Sequence, residues 1–177
     1  MTQDEGNFAG AIMEALGKAL HLKKNWNDLA KYILDYRYQL SSDAEADAVT
    51  EKVNNFYFGS KSSMQVPATT FGAMTTDRFF AFGVAKSLKM HARIAPTYGY
   101  LFNYVGRLEE PLISGMEPIK WGAIHSEEIP FIFNTSTVIR GFDSSFPEYK
   151  ISRVLTNLIC KFAETGEPLL TDSKTNK

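Results

Sequence analysis

Two short stretches of this 177-residue chain carry residue types that can move a proton together. In Trp121-Gly122-Ala123-Ile124-His125-Ser126-Glu127-Glu128, a glycine-led turn presents one histidine two residues ahead of an acidic pair and directly before the apolar run Ile129 to Phe133. An imidazole exchanges protons near neutral pH, and a carboxylate partner fixes its tautomer and stabilises its charged form, so His125 is a candidate general base. By itself a loop histidine is more often structural or solvated. In Gln3-Asp4-Glu5-Gly6-Asn7-Phe8, two acids precede a glycine and a helical pattern. The residues alone describe Asp4-Glu5 better as an acidic helix start opposing the macrodipole, and Glu128 equally well as an acid at a helix N-terminus.

A third stretch, Phe162-Ala163-Glu164-Thr165-Gly166-Glu167-Pro168, reads as a helix end with glycine and proline stop signals. In this order and separation, the three stretches resemble the C-terminal third of type-B carboxylesterases, the ester-hydrolase family that includes cholinesterases and the insect carboxyl and juvenile-hormone esterases. That family has a DEG acid motif, a GxxH histidine motif with acids just behind it, and a helix ending in FAxTGxP. Asn54-Asn55-Phe56-Tyr57-Phe58-Gly59, Thr76-Asp77-Arg78-Phe79-Phe80 and Pro96-Thr97-Tyr98-Gly99-Tyr100 are also similar to blocks of the insect enzymes. Each motif is short, but their order spans nearly the whole chain.

The resemblance implies an α/β fold, the C-terminal part of an α/β-hydrolase, mostly helical with one or two strands of the parallel sheet. It implies carboxylic ester hydrolysis by a serine-esterase mechanism, with Glu5 as the triad acid, His125 as its base and Glu128 as a carboxylate beside them. No metal or organic cofactor is needed, and the implied partner is a small apolar ester. The nucleophile should precede the acid in chain order. Residues 1–177 contain no G-x-S-x-G elbow and no glycine-rich oxyanion run; Ser60, Ser114 and Ser126 lie near a glycine, but none is bracketed by glycines at that spacing. The expectation is a C-terminal portion of an esterase domain over residues 1–177 that is inactive alone, since nucleophile and oxyanion donors supply the covalent step and the largest electrostatic term. The competing reading is a cholinesterase-like protein without catalysis that serves in binding or adhesion.

Composition suits a piece of a globular enzyme. A hydrophobic content of 44% can bury a core. A net charge of −1 and a pI of about 6.3 provide no basic field for nucleic acid or an anionic membrane. The 13 Phe and 8 Tyr read as core packing or, alternatively, as walls of an apolar pocket. Cys160, the one cysteine, has no intrachain partner, and the stripe Leu155, Leu158, Ile159, Phe162 suggests that it is buried and inert. This departs from secreted cholinesterases, which carry a disulfide in this part of the chain. No apolar run reaches the length of a membrane span, and Met1 is followed by polar and acidic residues, not by an apolar leader. Asn134-Thr135-Ser136 fits a glycosylation acceptor, a pattern that recurs by chance.

The elements that must position the candidate residues follow from apolar spacing and stop signals. Phe8 to Leu20 reads as a helix ending near Gly17; Trp26, Leu29, Ala30, Ile33 and Leu34 share one face of a second. Ser41-Ser42-Asp43 caps a third whose stripe is Ala48, Val49, Val53 and Phe56, closed by Gly59. Gly59 to Pro67 is loop. Thr75-Thr76-Asp77 caps a fourth helix through Phe80, Val84 and Leu88, stopped by Pro96. Thr97 to Val105 alternates, is dense in aromatics, and predicts a strand; Arg107 to Pro118 is loop, and a last helix runs from about Pro147 to Glu164. His21 and His91 lie in lysine-bearing helices as surface residues, and the tail from Leu170 is loose.

Overall fold

The computed structural model of the chain describes residues 1–105, 121–133 and 142–168. The chain divides into two compact units, Met1–His125 and Ser126–Lys177. Among the described residues no helix is long and apolar enough to cross a membrane.

In the first unit the element order is α1 (Asn7–Ala15), α2 (Ala19–Lys24), α3 (Trp26–Ile33), α4 (Asp43–Tyr57), α5 (Ala68–Thr75) and α6 (Phe82–His91). The expected helix from Phe8 to Leu20 breaks at Gly17, so α1 ends at Ala15 and a separate α2, which the sequence did not suggest, runs to Lys24 before Asn25 leads into α3. The core gathers Trp26, Ala30 and Leu34 of α3 with Phe58, Val66, Phe71 and Met74. Its centre is aromatic: Trp26 meets Phe71 edge-on at 4.9 Å and Phe58 at 6.1 Å. The indole N–H donates to Asn54 Oδ1 at 2.7 Å, so the polar end of a buried tryptophan is satisfied by α4. Aromatic composition therefore serves packing here.

Local capping follows the chemistry of the sequence. Ser42 Oγ accepts the Glu45 N–H at 3.2 Å while Glu45 reaches back to the Ser41 N–H at 2.9 Å, which satisfies two orphan donors at the start of α4. The inward face of α4 is Ala46, Thr50, Val53 and Tyr57; of the expected stripe Val53 packs on the core, while Ala48 is exposed and Phe56 is 79% exposed. The face is set by contact with α3, and the rotated set keeps the same helical spacing.

The fourth helix begins earlier than predicted. Thr75-Thr76-Asp77 does not cap it; α5 runs from Ala68 to Thr75, widens into a π-helical turn over Thr76–Ala81, and continues as α6. The Thr75 hydroxyl lies within donating reach of Phe71 O and Gly72 O of its own helix and of Gly6 O at 3.1 Å, and Thr76 Oγ1 accepts the Gly6 N–H at 2.8 Å. The hydroxyls bind the turn before α1 instead of opening a helix.

The predicted strand Thr97 to Val105 does not form. Among the described residues the one sheet-like pairing is an isolated parallel bridge between Thr2 and Phe102, with Gln3 N–H on Phe102 O at 2.8 Å and Phe102 N–H on Met1 O at 2.9 Å. An alternating sequence becomes a strand only where a neighbour takes its N–H and C=O groups, and Met1–Gln3 is too short to do so along its length. His21 and His91 are exposed, as expected. The Arg107–Pro118 loop, Asn134-Thr135-Ser136 and the tail from Leu170 lie outside the described residues.

In the second unit, α7 (Ile129–Ile132) packs on α8 (Tyr149–Thr165), and Ser152 Oγ donates to Phe131 O at 2.7 Å. Phe131 is fully buried against Phe142, 4.6 Å away. The α8 helix ends at Gly166, which takes the left-handed C-cap conformation, and Pro168 follows. Cys160 is exposed, contrary to the reading of the sequence. The face of α8 that turns inward centres on Leu155, and a residue five positions on lies well round the helix from it.

Two outcomes test this packing. A Cβ on Gly6 would stand 2.3 Å from Gly72 O and 2.4 Å from Thr76 N, both backbone atoms that cannot swing away. Gly6→Ala should lower the stability of the first unit by about 1–3 kcal/mol; an unchanged urea midpoint would show that the turn does not press on α5. Burial, and then the hydrogen bond from Tyr57 to Asp77 with that residue's charge, hold the Tyr57 phenol well above its ordinary value of 10.0. A raised folded-state value means stability fully present below about pH 10 and lost as the pH climbs towards the folded value. Tyr57→Phe should flatten the alkaline fall in melting temperature, and parallel profiles for the two proteins would exclude this contribution.

Candidate active site

Glu5 and His125, far apart in sequence, meet within the first unit. Glu5 is only 5% exposed, so its carboxylate must find donors. Oε1 accepts the Thr2 backbone N–H at 2.7 Å, and Oε2 lies 2.6 Å from His125 Nδ1. A carboxylate oxygen accepts, so Nδ1 donates, and in the neutral ring the lone pair is then on Nε2. The histidine side chain remains 49% exposed while its partner is enclosed. One half of the pair is fixed by protein and the other is open to a reacting group.

The contact is secured by backbone and side-chain bonds on either side of it. Asp4 N–H donates to Ala123 O at 2.9 Å, Asp4 Oδ2 accepts the Ala123 N–H at 3.2 Å, and Asn7 Nδ2 donates to Trp121 O at 2.5 Å. Residues 4, 5 and 7 of the acid turn thus each hold a residue of the 121–125 loop. Gly122 has φ +84°, and a Cβ there would stand 2.2 Å from Asp4 Oδ2, so the position accepts only glycine without strain. Directly after His125, Ser126 has φ +70°, an uncommon conformation for a residue with a side chain and one that concentrates at functional sites.

Among the described residues two aromatic rings, to which the sequence assigned no role at the site, flank the imidazole. Phe80 lies 5.3 Å from it, centroid to centroid, and Phe8 lies 6.2 Å away. Phe80 ends the Thr76–Phe80 block and Phe8 the Gln3–Phe8 stretch, and both fit helical spacing, but neither signal places a ring beside His125. A cavity of about 400 Å³ is lined by Asp4, Asn7, Asp77 and Trp121 among others, with neither Glu5 nor His125 in its walls. Asn7 Oδ1 and Trp121 Nε1 are buried without a hydrogen-bond partner among the described residues.

Glu128 belongs to the second unit, where it precedes α7 without capping it through its side chain; its Oε2 is buried and has no partner among the described residues. Glu128 thus stands at a helix N-terminus, as the reading of it as a helix-start acid expects.

Residues 1–176 match the family profile described as the carboxylesterase family. The chain is 25% identical over 174 residues to Esterase FE4 of Myzus persicae, covering 95% of this chain and 30% of that protein. It is 27% identical over 177 residues to Venom carboxylesterase-6 of Apis mellifera, covering 96% of this chain and 30% of that protein. The chain spans under a third of the length of these curated relatives. With its full described length inside the family match and the motif-bearing turns in contact, the chain belongs to the carboxylesterase family, whose fold is the α/β-hydrolase.

Proposed function

We propose that residues 1–177 are the C-terminal portion of a carboxylic ester hydrolase, in which Glu5 and His125 serve as acid and base of a Ser-Glu-His triad whose serine lies outside these residues. The observation that supports this most is the 2.6 Å contact between His125 Nδ1 and Glu5 Oε2, made by the residues on which the family's two motifs fall. A base must be oriented, kept in the useful tautomer and left accessible at its other nitrogen, and a buried carboxylate behind a half-exposed imidazole meets those requirements.

The chemistry then runs in two acyl-transfer steps. His125 Nε2 takes the proton of the serine hydroxyl as its oxygen attacks the ester carbonyl. The imidazolium, stabilised by Glu5, gives that proton to the departing alcohol, and an acyl-enzyme remains. Water repeats the cycle: Nε2 takes its proton, the hydroxide equivalent adds to the acyl carbon, and serine leaves reprotonated. Glu128 enters the same reading through the family resemblance alone, as the acid three residues after the histidine. The parallel Thr2–Phe102 bridge fits residues 1–3 and 97–105 as margins of a parallel sheet completed by other parts of the protein. Substrates are small apolar carboxylic esters. The binding or adhesion alternative gains nothing from an acid and base held in hydrogen-bond contact, since adhesion has no use for them.

Turnover of p-nitrophenyl esters by the full-length gene product tests the reading. His125→Ala should lower kcat by about 10³-fold or more, and Glu5→Gln, which keeps shape but removes charge, by at least about tenfold. Equal rates in wild type and His125→Ala would sink the assignment. Residues 1–177 expressed alone should hydrolyse nothing; His125-dependent turnover from them would place the nucleophile inside this chain.

A further inference from the structure

We propose that Phe80 is a positioning residue for the His125 imidazole, holding its plane while Glu5 holds its Nδ1; the role rests on the base assigned to His125 above. The hydrogen bond to Glu5 fixes one atom of the ring and leaves rotation about that atom to be restrained by something else. The imidazole is half-exposed, so solvent does not restrain it. Phe80, at 5.3 Å and an interplanar angle of 41°, is the nearer of the two rings that flank it among the described residues.

The backbone that brings Phe80 there is unusual. A π-helical turn takes one more residue than an α-turn, and such turns are rare and concentrated at functional sites. Here the extra residue in Thr76–Ala81 turns Phe79 towards solvent, where it is 47% exposed, and leaves Phe80 facing His125. Three successive residues tie this turn to three different elements. Thr76 Oγ1 accepts the Gly6 N–H at 2.8 Å, Asp77 Oδ2 accepts the Tyr57 hydroxyl of α4 at 2.5 Å, and Arg78 Nε donates to Leu34 O at the end of α3 at 2.7 Å. A turn with an unfavourable backbone persists only where its surroundings over-determine it, and these three bonds do so. The turn therefore orients both partners at once: the acid through Gly6, next to Glu5, and the base through the ring of Phe80.

Loss of the ring frees the imidazole to swing Nε2 off the line to the reacting oxygen, which affects the chemical step and not ground-state binding. In the full-length gene product, Phe80→Ala and Phe80→Leu should each lower kcat for p-nitrophenyl acetate by about tenfold or more with KM changed less than about twofold. Phe80→Tyr should restore the rate, and Phe79→Ala, on the same turn but facing away, should match wild type. The leucine variant keeps the bulk of the side chain and carries the test where the alanine variant fails to fold. A wild-type rate in Phe80→Leu, or an equal loss in Phe79→Ala, would overturn the proposal. A second readout needs no turnover: with labelled histidine, the Nδ1–H proton shared with Glu5 should give a far-downfield NMR signal in wild type and Phe80→Tyr that broadens away in Phe80→Leu. A wild type without ester turnover sinks the esterase reading alone. The signal then decides for Phe80, and its persistence in Phe80→Leu would refute the positioning role.

Discussion

The arrangement depends on a buried carboxylate. Glu5 is withdrawn from water, and an enclosed charge is tolerated only with donors on both oxygens. One donor is local, the Thr2 N–H, and can be supplied by any tight turn; the other comes from His125, at the far end of the first unit. Satisfying Glu5 therefore forces residues 2–7 and 121–125 together. The bonds between Asp4 and Ala123 and between Asn7 and Trp121 register the two segments on either side of that pair.

The acid turn in turn leans on the α5 backbone. Gly6 and Gly72 approach so closely that neither has room for a Cβ: on Gly6 it would meet Gly72 O at 2.3 Å, and on Gly72 it would meet Asn7 Oδ1 at 1.7 Å. This close approach lets the Thr75 and Thr76 hydroxyls reach both backbone groups of Gly6, a donor and an acceptor next to the buried acid. The glycines of both motifs thus have steric reasons to be glycine. Gly6 faces backbone, and Gly122 combines a left-handed φ with the nearby Asp4 carboxylate.

Elements governed by nearest neighbours were legible. The Ser42 cap, the α3 face of Trp26, Ala30 and Leu34, the break at Gly17 and the end of α8 at Gly166 all obey local rules and form where those rules put them. Where the reading failed, a distant partner had outbid the local signal. Thr75-Thr76-Asp77 has the composition of a helix cap, yet its hydroxyls serve Gly6, some 70 residues earlier. Thr97 to Val105 has strand alternation, yet among the described residues its one sheet-like pairing is the bridge at Thr2. Phe56 and Cys160 sit beside apolar stripes, but which stripe turns inward is decided by the neighbouring element; both are exposed.

The sequence by itself determined the family, the two turns that carry Glu5 and His125, and the ends of α4 and α8. Those properties live in motif order, capping chemistry and residue spacing, which are read within a few residues. Only the tertiary structure decided that the acid is buried while the base stays open, that Asn7, Thr76 and the backbone of Thr2 brace the acid turn, and that Phe8 and Phe80 flank the imidazole. Burial and long-range hydrogen bonding are properties of which segments share space. A chain of phenylalanines, threonines and asparagines at helical spacing says the same thing about a core as about a site until its segments have met.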